Sequence, residues 1–266
     1  RRFGSIYWHV LAGHSVFPVQ TSVRFKIPLI IWGAHQGIEQ VGMFSHEHEV
    51  EMTRRYREDH DLFMASPSKL KSPFNTINDN DLWNYLYPDD FDLNAIGTRG
   101  IYLGNFVRWD PKAQHEQMIR ECNYKTSKFN RTFDCYDYVD CYNYMDLHDL
   151  LKLYKHGYSK VTDHATREIR HCRITRENGL KLVKKYEQNQ ILFLSKFCNW
   201  LGINEESMQF ILNQHRNKKY WLQKSPNSWA FNGWSYLNKY SKFVNNLNNE
   251  LEKSFKVNDS IESENK

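Results

Sequence analysis

Between Gly157 and Arg176 the chain reads GYSKVTDHATREIRHCRITR, a segment whose cations could converge on a single anion. At about 100° per residue, Asp163, Arg167 and Arg170 fall within about 60° of one another, while Ala165, Ile169 and Cys172 gather on the opposite side. Lys160 precedes this cationic face, and Arg173 and Arg176 follow it. Guanidinium forks match phosphate oxygens two at a time, so the chemistry on offer is the binding of a phosphorylated molecule. The same pattern also describes a solvated helix face carrying an Asp163 to Arg167 pair at i,i+4 spacing.

A second candidate lies upstream. Ile27 to His35 reads IPLIIWGAH, apolar until Gly33, and then opens onto Ala34, His35, Gln36 and Gly37. An apolar residue at every position predicts a strand covered on both faces, as in a parallel α/β sheet. Sheets of that kind bind ligands beyond the carboxyl ends of their strands, and Gly33 would let a backbone or substrate approach closely. Two other chemistries fit poorly. His46-Glu47-His48 lacks the HExxH spacing that aims two ligands one way, and His148, His156, His164 and His171 are scattered, so no metal site is expected. No Gly-x-Ser-x-Gly elbow exists, and no cysteine has a reactive-site signature.

The elements that must position these residues follow from pattern. Gly4 to Lys26 is loosely helical and interrupted at Pro18. Ser45 caps a helix expected to run to about Asp61, with Glu47 and Glu49 in its first turn and Arg54, Arg55 and Arg57 in its last. Residues 66–95 are rich in Ser, Pro, Asn and Asp and predict an irregular insertion with a short helix near Leu82 to Leu86. Ile101 to Trp109 predicts a second strand, with a bulge or close backbone approach at Gly104 and Asn105, and Asp110-Pro111 starts another helix. From Leu147 the pattern is helical almost to the end, and the last dozen residues are polar. The expected organisation is residues 1–125 as the remainder of an α/β nucleotide-binding domain, 126–255 as a helical region, and 256–266 as a tail.

Composition sets outer limits. The 266 residues include 36 basic and 31 acidic side chains, a net charge of +5 too dispersed to argue for nucleic acid. Five cysteines without a CxxC pair argue against a disulfide framework or zinc ribbon and fit a reducing cytoplasm. No stretch approaches the roughly 20 apolar residues of a membrane span, so no membrane insertion is expected.

Four blocks, IPLIIWGAHQG, VGMFSHEHEVEMTRRYREDHDL, GTRGIYLGNFVRWDPKAQHEQMI and GYSKVTDHATREIRHCRITRENGLKLVKKY, resemble in order and spacing the carboxyl-terminal two thirds of the N-acetyl sugar amidotransferase family. The resemblance runs over roughly Gly4 to Tyr186. It implies a partial Rossmann-like parallel sheet of the ATP pyrophosphatase (PP-loop, adenine nucleotide alpha hydrolase) type. It also implies ATP and Mg²⁺ as cofactors, a nucleotide-linked N-acetyl sugar as substrate, and glutaminase and ammonia-channelling subunits as partners. The product would be an acetamidino sugar for surface polysaccharide, such as O-antigen, or for flagellin glycans. In this reading His35 and Glu39 are catalytic, with Glu39 facing metal or ribose. Gly33, Gln36, Lys160, Asp163, Arg167 and Arg170 bind nucleotide or phosphate, Asp163 by orienting the arginines, and Arg99 and Asn105 contact the sugar.

The family also carries an upstream Ser-Gly-Gly-x-Asp-Ser loop, whose backbone amides cradle pyrophosphate, and an amino-terminal cysteine cluster. This sequence contains neither, which leads to the expectation of a missing amino-terminal part and of a chain that cannot turn over by itself. The alternatives are a non-catalytic remnant that binds a nucleotide sugar or glutaminase, and tRNA thiolation. The latter would call for paired cysteines and a strong basic face, which the sequence lacks.

Overall fold

The structure, a computed structural model, describes residues 4–34, 51–62, 64–71, 77–136, 142–226 and 228–233. It is an α/β fold that divides into two units. The first comprises Arg1–His148 and Lys160–Phe193, the second Asp149–Ser159 and Leu194–Lys266.

The first unit begins with helix α1 (Trp8–Phe25), whose residues Ala12, Ser15, Val16, Val19 and Ser22 form one buried stripe. Pro18 lies inside this helix rather than ending it, so the expected interruption does not occur. The cost of one missing N–H is offset by burial of Val16 and Val19, both fully inaccessible. Lys26 closes the helix in the left-handed conformation, and the Ser22 hydroxyl donates to the Ile27 carbonyl (2.6 Å). The chain is thereby aimed into strand β1 (Leu29–Trp32), which pairs in parallel with β2 (Arg99–Tyr102), Leu29 opposite Arg99 and Trp32 opposite Tyr102.

One face of β1 packs Ile30 and Trp32 against a core of Val19, Met52, Tyr56 and Tyr102. The other face is uncovered among the described residues, with Leu29 50% and Ile31 59% exposed. The expectation of a strand buried on both faces is therefore corrected: the unbroken apolar run reflects one packed and one open face. The second strand is also shorter than expected. Residues Leu103–Asn105 turn into a 3₁₀ segment because the Gly104 N–H donates to the Ala34 carbonyl (3.0 Å), drawing the two strand ends together.

The helix expected from Ser45 is corrected where it can be seen. Residues 35–50 lie outside the described residues, but Glu51 bridges Ile101 and the Met52 N–H donates to the Gly100 carbonyl (2.7 Å), so this stretch is extended. The helical turn α2 (Arg54–Tyr56) starts only where the Thr53 hydroxyl accepts from the Tyr56 N–H, and it continues as a π-helical segment, Arg57–Asp61. The segment expected to be irregular contains α3 (Asp79–Leu82), capped reciprocally by Asn78 and Asp81, and α4 (Asp90–Ile96), capped by Asp89.

Arg57 joins these pieces. It is fully buried, and it donates to the Ser15 hydroxyl (3.0 Å) and to the Ala12 (3.0 Å) and Tyr85 (2.8 Å) carbonyls. Helices α5 (Pro111–Cys122), α6 (Tyr142–His156), α7 (Lys160–Arg170) and α8 (Arg176–Glu187) follow. A Cβ at Gly179 would sit 2.9 Å from Ile169 Cδ1, so the absent side chain lets α8 lie close on α7.

The second unit contains α9 (Leu194–Leu201), α10 (Glu205–Gln214) and an antiparallel hairpin, β3 (Trp221–Ser225) and β4 (Ser228–Phe231). The hairpin replaces the continuous helix expected there. Arg216 fastens it, its guanidinium lying 3.5 Å from the Tyr154 ring centroid and 4.1 Å from that of Trp221.

Replacing Arg57 with Ala should lower stability by about 3 kcal/mol or more, since it opens a cavity and strips two carbonyls of their donor. Urea unfolding of the chain checks this, and an unchanged midpoint would show that the guanidinium contributes nothing to the fold.

Candidate functional site

Two places in the first unit bring sequence-predicted residues together. The first is the crevice at the carboxyl ends of β1 and β2. Gly33 and Ala34 leave β1 there, and Leu103, Gly104 and Asn105 leave β2 beside them, joined by the Gly104 to Ala34 bond. A Cβ at Gly33 would meet nothing within 4 Å, so the space next to this backbone is open rather than crowded. His35, Gln36 and Glu39, with the His46-Glu47-His48 run, lie outside the described residues. Arg99 is at the opposite, amino end of β2, where it forms a two-pronged pair with Glu51. This hydrogen bond and the arginine's charge hold the Glu51 carboxyl below its ordinary range. Gly33 and Asn105 therefore share the crevice, and Arg99 does not.

The second place is centred on α7. The helix presents Val161, His164, Ala165 and Glu168 as its buried side, which puts a carboxylate and an imidazole where apolar periodicity predicts only Ala165, Ile169 and Cys172. Cys172 is exposed instead and lies past the helix end, in the left-handed conformation, so Arg173 belongs to the following turn. Arg167 is mostly buried and pairs with Asp134 and with Glu168 (3.1 Å). Arg173 pairs with Asp110 and with Glu168 (3.4 Å). His164 Nδ1 and the Thr132 hydroxyl share a 2.6 Å hydrogen bond, and the Asp134 carboxylate accepts from the Tyr136 N–H at 2.9 Å. Asp110 also caps α5 by accepting from the Ala113 N–H.

Glu168 thus stands between two guanidiniums, each of which also holds an aspartate from another segment. Three carboxylates face two arginines, with His164 beside Asp134, and the set stays inside or at the edge of the fold because each carboxylate has a cationic partner. Burial pushes the Asp134 carboxyl upward, but the charge on His164, the Tyr136 N–H and Arg167 together outweigh it and hold it below the usual range. Burial disfavours charge on Arg167, and Asp134 and Glu168 more than compensate.

Of the other predicted phosphate ligands, Lys160 stands at the start of α7 with its ammonium 5.8 Å from the Phe129 ring centroid. Asp163 is half-buried in the first turn, and Arg170 is exposed in the last. Sequence reasoning missed Asp110, Asp134, Glu168 and Thr132. The cap signal at Asp110-Pro111 located one of them, but pairing across more than thirty residues, as between Asp134 and Arg167, leaves no periodic trace. Among the described residues, no group of three or more His, Cys, Asp or Glu could hold a metal ion, and no helix is long and apolar enough to cross a membrane.

Residues 115–241 match the family described as LPS biosynthesis protein WbpG-like, C-terminal domain. No curated protein matches the chain. The WbpG-like region takes in most of α5, all of α6 to α10 and the hairpin. Lys160, Asp163, Arg167 and Arg170 lie within it, together with Asp134, Glu168 and Arg173; Gly33, Arg99, Asn105 and Asp110 lie before it. The α7 array therefore belongs almost wholly to the WbpG-like region, and the strand-end crevice lies outside it.

A carboxylate whose folded pKa is depressed adds stability that is complete above its unfolded value and is lost as the pH falls. The Asp134 contribution should thus be intact well above the ordinary value of 3.8 and disappear on acidification below it. Asp134→Asn should cost about 3 kcal/mol at neutral pH, because Arg167 keeps its charge in a buried place, and should flatten the acid limb of the stability curve. Chemical unfolding at a series of pH values measures both effects.

Proposed function

We propose that this chain is part of a lipopolysaccharide-biosynthesis enzyme, an ATP-dependent amidotransferase acting in the cytoplasm on a nucleotide-linked N-acetyl sugar. The observation that carries the reading is the match of residues 115–241 to the WbpG-like lipopolysaccharide-biosynthesis family. The resemblance of the IPLIIWGAHQG and GYSKVTDHATREIR blocks to N-acetyl sugar amidotransferases supplies the chemistry. The parallel pair β1 and β2 supports a ligand site beyond Gly33 and Asn105.

An amide oxygen is a poor leaving group. In the proposed reaction the acetamido oxygen attacks the α-phosphorus of ATP, forming an O–P bond and expelling pyrophosphate. Ammonia then adds to the activated carbon, the C–O bond breaks, AMP leaves, and an acetamidino group remains. Mg²⁺, when bound, would neutralise the departing pyrophosphate. Glu39, in the loop continuing from Gly33, is the proposed carboxylate for the metal or the ribose, and His35 and Gln36 are the proposed contacts to nucleotide or activated sugar. Asn105 is proposed to meet the sugar. For phosphate, Lys160, Arg167 and Arg170 are proposed, with Arg170 on the exposed side of α7 and Arg167 mostly buried. Ammonia would come from a glutaminase partner through a channelling subunit.

The test is an assay of AMP and pyrophosphate release with ATP, Mg²⁺, ammonia and a nucleotide-linked diacetamido sugar. A protein extended upstream by a Ser-Gly-Gly-x-Asp-Ser loop should turn over, whereas residues 1–266 alone should not. Turnover by the short chain would sink the second expectation, and inactivity of the extended protein with every such sugar would sink the first.

The two arginines should separate in that extended enzyme. Arg170→Ala, at an exposed position, should raise the KM for ATP or nucleotide sugar about tenfold, the loss expected of one charge-assisted hydrogen bond, and lower the melting temperature less than Arg167→Ala does. Arg167→Ala should lower the melting temperature, because Asp134 loses its buried partner.

A further inference from the structure

A cleft of about 670 Å³ opens in the second unit between α10 and the β3–β4 hairpin, remote in sequence from every residue assigned a role above. Among the described residues its lining combines two aromatic rings, Phe210 and Trp229, with planar polar side chains that include Asn213, Gln214 and Gln223, and one ionisable group, Glu206. Phe210 is 61% exposed although it is a large apolar side chain, so its ring is offered rather than packed. Glu206, Phe210 and Asn213 follow i, i+4, i+7 spacing and line one side of α10.

The polar groups are oriented. Asn213 Oδ1 accepts from Gln209 Nε2 (3.0 Å) and from Arg216 Nε (2.8 Å), which fixes the amide plane and leaves Nδ2 as the donor. Gln223 Nε2 donates to the Pro226 carbonyl (3.3 Å), which leaves its Oε1 as an acceptor. The Arg216 guanidinium, 5.5 Å from the Trp229 ring centroid, braces the indole. Trp229 Nε1 is shielded from solvent, so a ligand in the cleft meets the carbon surface of the indole rather than its N–H.

Amide donors, amide and carboxylate acceptors and apolar ring faces together suit a ligand with hydroxyls that both donate and accept and with a face of C–H bonds. No cation is among the described lining residues, and the neighbouring Arg216 is turned to Asn213 and the Trp229 ring, so the lining favours a neutral ligand over a phosphate. We propose that this cleft is a carbohydrate subsite for a neutral pyranose ring, stacked on Phe210 or Trp229 and hydrogen-bonded by Asn213, Gln223 and Glu206. It goes beyond the amidotransferase reading and needs no ATP, ammonia or turnover.

The experiment is a saturation-transfer NMR titration of the full chain with N-acetylglucosamine, N-acetylgalactosamine and glucose as separate probes, and UMP as a phosphate-bearing control. At least one pyranose should bind with a Kd of about 1 mM or weaker, as expected of a single small ring, and UMP should not compete for it. Trp229→Ala, which removes the ring on which the pyranose would stack, should weaken binding about tenfold. Phe210→Ala and Glu206→Gln, both at exposed positions, should weaken it while leaving the melting temperature unchanged. Absence of binding by all three sugars, displacement by UMP, or full affinity in all three variants would each overturn the proposal. A chain that binds the monosaccharide while the extended protein makes no AMP keeps this inference and overturns the amidation reading; the converse result does the opposite.

Discussion

A guanidinium with no access to solvent sets the arrangement of the first unit. Arg57 reaches a hydroxyl and a carbonyl of α1 and a carbonyl of the segment between α3 and α4, so three stretches distant in sequence meet at one planar group. Burial disfavours its charge, with Asp61 and Glu58 acting in the opposite direction, and carbonyl dipoles take the place that water would hold. Its Nε and Nη2 are satisfied by these partners, while Nη1 is buried without one, so the loss of any partner would leave a further donor bare. The chain around it has few alternatives, and the Tyr56 and Tyr102 rings of the neighbouring core inherit that order.

The same economy of charge governs α7. Arg167 and Arg173 are cations that periodicity offers to a ligand, yet each is answered from within by carboxylates of Asp134, Glu168 and Asp110. The array joins α7 to the start of α5 and to the 123–136 stretch, which has no helix or strand of its own. Its role as seen is to hold a backbone that hydrogen bonds of regular structure do not hold. Arg170, one turn from Arg167, lies on the exposed side of the same helix.

What could be read from the sequence followed from local signals. The apolar run ending at Gly33 is a strand, Asp110-Pro111 caps a helix, and Gly104 marks a close backbone approach, each because the deciding atoms lie within a few residues. Features set by distant partners were not legible. Thr53 starts a helix only because Glu51 and Met52 are drawn into pairing with β2, and Glu168 is tolerated inside because Arg173 and Arg167 reach it. The hairpin after Tyr220 did leave a trace, Ser225-Pro226 between runs containing Trp221 and Trp229, but it was obscured by the helical pattern leading into it. Of the candidate site, pattern and resemblance pointed to Gly33 and Asn105, which the structure puts at adjoining strand ends, whereas the grouping of carboxylates about α7 required the fold.

The open face of β1 also bears on how this polypeptide behaves in the test tube. Leu29 and Ile31 project from a strand with no pairing neighbour on its outer side among the described residues, within a short stretch that carries no charge and is rich in β-branched residues. An edge with no bulge or covering helix among the described residues is a template on which a strand of an identical chain could pair. Self-pairing at these four residues would not be prevented by a net charge of +5 spread over the chain, and a lysine in place of Ile31 would oppose it directly.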